Sequence, residues 1–463
     1  LKSTIPPITC PAWVSMFTGK SSGQLGLFDF FTLNENYEKR ALNLTEIFKG
    51  GFLWDLVEGE GYKSGVIAVP MVEPYRTKGF MVGDWERKGE GNFEDIDLDL
   101  SKIKNSDWIL TSTKLKEGIE NFKEEVEIFR EILNGDEELI VGVFQLSDEV
   151  IHYGNKERAF DRVYRVLDQE VGKIVSKVEE NDWNLIIVSD HGAKKVHNRF
   201  NINNWLEENG YLEFKGNVGF LTRISDFISR YNTNLVRAGM RIFERFSNFF
   251  QRDKIDTSQN MALGKINFKK TKAFSVSTSV NEISGIWLNK LNKFNQGTIN
   301  EKEVPRLKDE IKENLKKEKA VKNVWKREEI LNQGEVNFNL PDIIIRAKEN
   351  FLVGYRPMPN LYSKRRRYIH DIFGTIMGFG PDFIKDGSKV ENIQIKDVSP
   401  SILPVLNSPI PRSMDGKVKE GIYSNKNMEI KSCPPIKVNE KRGMEREDEE
   451  ELKRKLRELG YNA

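Results

Sequence analysis

The residue pattern predicts an α/β fold, with a mostly parallel sheet covered by helices on both faces and a lobe inserted into it. Three observations predict it. Short apolar runs recur at 64–69, 139–146 and 185–188, the kind of run that a parallel sheet buries on both sides. Amphipathic stretches of helical period separate them, giving repeated strand–helix–strand order. Between 216 and 335 the character changes, and the sheet pattern resumes only at 342–345 and 374–378.

Taken in order, the first 35 residues are rich in turn formers. Residues 11–17 read as a helix start, because Pro11 suits a first turn, and Thr18-Gly19-Lys20 breaks it. Residues 52–57 read as a helix and 64–69 as a buried strand stopped by Pro70, with a polar loop to about 105. A helix is expected over 115–133, with Ile119, Phe122, Val126 and Phe129 on one stripe. The strand at 139–146 is followed by a helix over 156–179, whose stripe is Phe160, Val163, Leu167, Val171, Ile174 and Val178. The strand at 185–188 runs straight into Ser189-Asp190-His191-Gly192. Residues 216–255 read as amphipathic helix packed within a lobe, 271–290 as short apolar segments and 303–320 as a charged helix, with 321–330 closing that section. Asp397 or Ser399 would cap a helix over 397–403. The end of the chain reads as a polar linker over 423–445 and a charged helix over 445–459, whose Leu452, Leu456 and Leu459 stripe is too thin for a coiled coil. The division is therefore 1–215 and 336–422 for the two parts of an α/β domain, 216–335 for the lobe, and 423–463 for linker and terminal helix.

Composition excludes several function classes. The 463 residues carry a formal net charge of +2, so overall charge does not favour a nucleic-acid partner. The basic run Lys364-Arg365-Arg366-Arg367 is local, and serves either to steer an anionic substrate or as a solvated face. Cys10 and Cys433 are the only cysteines, which argues against a disulfide framework and for a reducing, cytoplasmic setting. No apolar run is long enough for a membrane span, and no signal peptide is expected.

Candidate chemistry gathers at strand ends, where open parallel sheets bind ligands. The chain has four histidines: His152, His191, His197 and His370. Asp190 and His191 follow one strand. Asp148 and His152 follow another, four residues apart, so a helical turn would point both the same way. His370 precedes a third strand-like segment. Carboxylate and imidazole donors suit Zn2+ or Mn2+, and the competing reading is that the Asp-His pairs cap turns. On the residues alone Thr9, ahead of Cys10-Pro11, reads first as a cap or loop residue and second as a nucleophile. Cys10 reads as a buried, inert thiol.

The stretch Thr9-Cys10-Pro11-Ala12-Trp13-Val14-Ser15-Met16-Phe17-Thr18-Gly19 resembles the nucleophile segment of the type I phosphodiesterase and nucleotide pyrophosphatase branch of the alkaline phosphatase superfamily. Ser189-Asp190-His191-Gly192, the Asp148/His152 pair, and His370 with Gly374 and Gly378-Phe379-Gly380-Pro381 beyond it resemble that branch's metal-binding segments. Asn201 to Leu206, Gly210-Tyr211-Leu212, Pro341-Asp342, Asp397-Val398-Ser399-Pro400 and Met414-Asp415-Gly416-Lys417 are similar to uncharacterised prokaryotic phosphohydrolases, many of them archaeal.

The resemblance implies a three-layer, alkaline phosphatase-like sandwich and a metal-dependent hydrolase of phosphodiester or nucleotide pyrophosphate bonds. It implies Thr9 as nucleophile and two divalent ions, Zn2+ first and Mn2+ second. Thr9, Asp190 and His191 would hold one ion, and Asp148, His152 and His370 the other. His197 has no ligand role in the pattern, and either contacts substrate phosphate or caps a loop. The implied partner is a small phosphorylated molecule, nucleotide-like in one reading, with no stable nucleic acid and no membrane; oligomeric state stays open. The alternatives are monoester or phosphonate hydrolysis, mutase-like phosphoryl transfer, or a degenerate binding scaffold. The branch also opens with a strand ending in an Asp ligand, whereas this sequence opens at Leu1-Lys2-Ser3. A truncated beginning is therefore expected, with weak activity for the chain as it stands.

Overall fold

The computed structural model describes residues 1–42, 51–83, 112–153, 157–215, 263–276, 281–331, 340–425 and 429–435, with positions 44 and 48. The helix expected over 216–255, the terminal helix over 445–459 and most of the polar loop before 105 lie outside the described residues.

Helix α1, Thr9–Thr18, forms where the sequence placed it. Pro11 occupies its first turn, where a missing N–H costs no helical bond, and Gly19 ends it in the left-handed region at φ 64°. Nearly all of α1 is buried, and Ser399 Oγ donates to the Met16 carbonyl at 2.5 Å, pinning the helix to the segment around 399. The chain continues through α2 (Leu53–Gly59), β1 (Ser64–Ile67), β2 (Phe80–Val82), α3 (Ser112–Ile132) and β3 (Leu139–Gly142). Strands β2, β1 and β3 lie side by side in that order, all parallel. The run expected as one strand over 139–146 ends at Gly142, because Leu146 already opens α4 (Leu146–Tyr153). Helix α5 (Glu157–Glu180) packs with α3 over one core, where Phe122, Val126, Val163, Ile174 and Val178 meet.

Strand β4 (Leu185–Val188) is followed by β5 (Gly192–Asn201) and α6 (Ile202–Glu208). Residues 273–326 supply β6 (Ala273–Phe274), β7 (Ile283–Leu288), α7 (Val304–Lys316) and β8 (Val321–Lys326). After it come β9 (Ile343–Ala347), β10 (Phe351–Gly354), β11 (Tyr362–Asp371), β12 (Ile376–Phe379) and α8 (Val398–Ile402). Strands β8, β9, β7 and β6 form an antiparallel sheet whose inner strand β9 carries Ile343, Ile344 and Ile345 into a large core with Trp205, Phe274 and Ile286.

The sheets are mixed, and this corrects the expectation of a mostly parallel one. Strand β12 pairs β4 antiparallel, and β5 is flanked by a parallel β10 and an antiparallel β11. Local apolar runs mark where a strand lies, but the direction of its neighbour is set by distant chain, and β3 and β4 are half-buried along their length rather than covered on both faces. Among the described residues β3 is paired on one edge only, by β1, and β4 on one edge only, by β12.

Candidate metal centre

Four separate stretches converge on one point. Helix α4 carries Asp148 and His152 one turn apart, so both side chains face the same way, with His152 Nε2 3.3 Å from Asp148 Oδ2. Asp190 and His191 fill the short link between β4 and β5. His370 is the penultimate residue of β11 and precedes β12, the strand expected after it. The antiparallel pairing of β11 with β5 sets His370 against Ala193 and Asp371 against Gly192. That register stacks the His191 and His370 rings at 3.6 Å and 16°. The fourth stretch is the beginning of the chain. Ser3 Oγ donates to the Asp190 carbonyl, and the Pro7 carbonyl sits 3.0 Å from His370 Nδ1.

His370 Nε2 is 3.4 Å from Asp148 Oδ1 and 3.2 Å from His152 Nε2. His191 Nε2 is 3.2 Å from Asp190 Oδ2 and 3.9 Å from Asp148 Oδ1. Asp148, His191 and His370 each offer a ligand atom within 4.8 Å of the others, which draws one compact group from both of the ligand sets implied by the sequence. His191 and His370 are 6% and 4% exposed, so water cannot satisfy them freely.

The donor set fits a divalent cation. Asp148 Oδ1 and His191 Nε2 are buried and meet no hydrogen-bond partner among the described residues. Leaving such atoms unpaired costs on the order of 1–3 kcal/mol each. The tautomers agree. Nδ1–H of His370 can donate to the Pro7 carbonyl, and Nδ1–H of His191 to the Gly192 carbonyl at 3.2 Å. Each ring then turns an Nε2 lone pair to the centre, as backbone-anchored metal-binding imidazoles do.

The charges are strongly coupled. Burial works against the Asp148 carboxylate, yet the His152 and His370 rings hold it well below its ordinary range. Burial and then the Asp148 charge push Asp190 up to about 7. Burial and then His370 draw His191 down to about 3. Burial lowers His370, but Asp148 more than offsets this and raises it. Two acids and two imidazoles whose affinities for protons are driven apart in this way mark a functional site.

Thr9 opens α1 two residues beyond Pro7 and is 8% exposed. Cys10 is fully buried, and burial, reinforced by Asp29, holds its thiol well above the ordinary value, so it is inert as expected. His197 stands apart from the group. Its backbone N–H donates to the Asn350 carbonyl at 3.2 Å and its Nδ1 faces Asn350 Oδ1 at 3.4 Å, tying β5 to the turn before β10. Sequence reading missed the Pro7 carbonyl, because a backbone acceptor leaves no signature in residue type.

Among the described residues no helix is long and apolar enough to cross a membrane. No curated protein matches the chain. Among solved structures it is similar to phosphonoacetate hydrolase from Sinorhizobium meliloti 1021 in complex with phosphonoformate, at 12% identity. That match covers 86% of this chain and 84% of the other with a TM-score of 0.51, a likeness of fold. It is also similar to murine ectonucleotide pyrophosphatase / phosphodiesterase 5, at 12% identity and TM-score 0.48, over 92% of this chain and 90% of that one. The family model for type I phosphodiesterase / nucleotide pyrophosphatase matches residues 1–371, a span that takes in Thr9 and the whole acid–imidazole cluster. On that match the chain belongs to the type I phosphodiesterase / nucleotide pyrophosphatase family, phosphoester hydrolases of the alkaline phosphatase superfamily.

Proposed function

We propose that the chain hydrolyses phosphodiester or nucleotide pyrophosphate bonds, with Thr9 as nucleophile beside two divalent cations, Zn2+ in first place and Mn2+ in second. The observation that carries this reading is the buried pair of unpartnered ligand atoms, Asp148 Oδ1 and His191 Nε2, grouped with His370. Cations bound there supply charge stabilisation for phosphoryl oxygens and acidify a neighbouring hydroxyl or water. Thr9, Asp190 and His191 form one part of the donor set, and Asp148, His152 and His370 the other. Asp148 Oδ2 lies beside the His152 ring, and the Pro7 and Gly192 carbonyls fix the tautomers of His370 and His191. Thr9 supplies Oγ1 for attack on phosphorus, at a helix start whose backbone N–H groups favour negative charge.

The 216–335 lobe selects the part of the substrate beyond the phosphoryl group. In support, Asn281 Nδ2 donates to the same Pro7 carbonyl that anchors His370, at 3.4 Å. Cys10 and Cys433 are both free, which suits a reducing, cytoplasmic compartment.

The test is turnover of a generic aryl phosphodiester against the matching monoester, with Zn2+ and Mn2+ supplied in turn. Expected is metal-dependent cleavage that prefers the diester and is abolished in Thr9→Ala and Asp148→Asn. Undiminished cleavage by Thr9→Ala, or no cleavage with any divalent cation, overturns the reading.

A further inference from the structure

The β10–β5–β11 sheet also assembles a group of cations that the metal centre does not use. Arg199 lies in β5, eight positions beyond His191, or about 27 Å along an extended strand. Its Nε and Nη2 are buried and meet no hydrogen-bond partner among the described residues. Those two N–H groups form one edge of the guanidinium, and that edge faces the backbone of Gly354.

The backbone makes room for this side chain. Gly354 ends β10, and a Cβ there would stand 2.0 Å from Arg199 Nε and 2.4 Å from Nη2, so glycine is the residue that lets the guanidinium lie against the strand. The next residue, Tyr355, is 3% exposed, and its hydroxyl is likewise buried without a partner. Arg356 follows. On the other side β11 is irregular. Lys364 pairs with Asn198 and Arg367 with Val196, so three steps of β11 match two of β5, and Arg365 and Arg366 sit in the resulting bulge. Bulges of this kind re-aim side chains.

Burial, and then the charges of Arg356, Arg365 and Arg367, draw the Arg199 guanidinium down to about 10. Lys39 adds to the positive field. Its ammonium lies 5.6 Å from the centre of the Tyr355 ring, and it feels both Asp29 and Arg356. A buried charge surrounded by like charges is costly unless a counter-ion arrives.

We propose that Arg199, Arg356, Arg365 and Arg367, with the Tyr355 hydroxyl, form a binding site for a phosphate-class oxyanion on a small soluble molecule, separate from the metal centre. Arg199 supplies a fixed positive charge at the base of the site, its Nε and Nη2 edge resting on Gly354. Tyr355 adds a neutral donor. The exposed Arg365 draws the anion in and screens the entrance. The strand distance from His191 means that the bound group is not the one being cleaved.

The experiment is a calorimetric titration of the full chain with inorganic phosphate, with sodium chloride of equal ionic strength as control and thermal melting in parallel. The wild-type chain is expected to bind phosphate saturably and to melt at higher temperature with it. Arg199→Gln is expected to weaken binding at least tenfold and Arg365→Gln, an exposed position that leaves folding intact, several-fold. Tyr355→Phe should weaken it by less. Asp148→Asn should keep this binding, because it touches the metal centre alone. Arg199→Gln should also melt no lower than wild type without phosphate, since it removes an uncompensated charge. Absence of binding to the wild-type chain overturns the proposal. So does binding that survives both Arg199→Gln and Arg365→Gln, or binding that disappears in Asp148→Asn.

Discussion

Replacing Gly192 with alanine tests whether the metal centre depends on how closely β5 meets the chain beyond β11. Gly192 is the first residue of β5 and pairs with Asp371. A Cβ on it would stand 1.9 Å from the carbonyl oxygen of Phe373. Reaching even 3.0 Å, the distance below which real Cβ contacts essentially never fall, requires a displacement of about 1.1 Å. The Phe373 side cannot supply it cheaply. Gly374 N donates to the Leu1 carbonyl at 3.0 Å, and Thr375 N donates to Ser189 Oγ at 2.8 Å. The shift therefore falls on His191, next to Gly192 in the chain, and opens its stack on His370. Metal–ligand bonds tolerate about 0.2 Å, several times less than the displacement. Gly192→Ala should weaken cation binding by about 10–100-fold, equivalent to about 1.4–2.8 kcal/mol, and cut diester turnover by roughly 100-fold. Overpacking should also lower fold stability by about 1–3 kcal/mol. Chelator competition measures the affinity, a chromogenic aryl diester the turnover, and circular dichroism the fold. A folded Gly192→Ala protein with wild-type affinity and turnover would refute the reasoning.

Other outcomes follow from the same structure. Gly172, within α5, has nothing within 4 Å of its would-be Cβ, so Gly172→Ala should raise stability by about 0.5–1 kcal/mol in a urea melt and leave activity unchanged. Thr9→Ala should remove turnover while chelator competition still detects cation binding by the acid–imidazole cluster. Cation binding should release protons, because Asp190 holds its proton up to about 7 and must lose it to bind a cation. Affinity should then fall as pH drops below about 7, by about tenfold per pH unit for each proton displaced, and titration calorimetry at pH 6 and pH 8 measures the difference. Gly19→Ala should destabilise the chain, since the residue sits at φ 64° and its Cβ would come 2.6 Å from Met414 Sδ; thermal melting reads the loss.

Much of this was legible in the sequence where the signal is local. The helices expected over 115–133 and 156–179 appear as Ser112–Ile132 and Glu157–Glu180, because a 3.6-residue stripe needs no partner to be recognised. The four-residue offset of Asp148 and His152 correctly implied one helical face. Strands β5 and β11 were not legible. Their sequences, GAKKVHNRFN and YSKRRRYIHD, are too charged to read as strands, and only their mutual pairing explains them. The contact of His191 with His370 was likewise hidden, since it is set by the register of two strands far apart in the chain.

The order of synthesis gives the assembly of the centre a direction in time. Asp148, His152, Asp190 and His191 leave the ribosome first, and nearly 180 further residues must follow before His370 does. Until then β5 lacks β11 along one edge, and the early ligands face water without the imidazole that closes the group. On the proposed function, tight capture of a cation would therefore be a late step, coupled to the docking of β11. A nascent chain stalled before residue 370 should bind divalent ions far more weakly than the released chain.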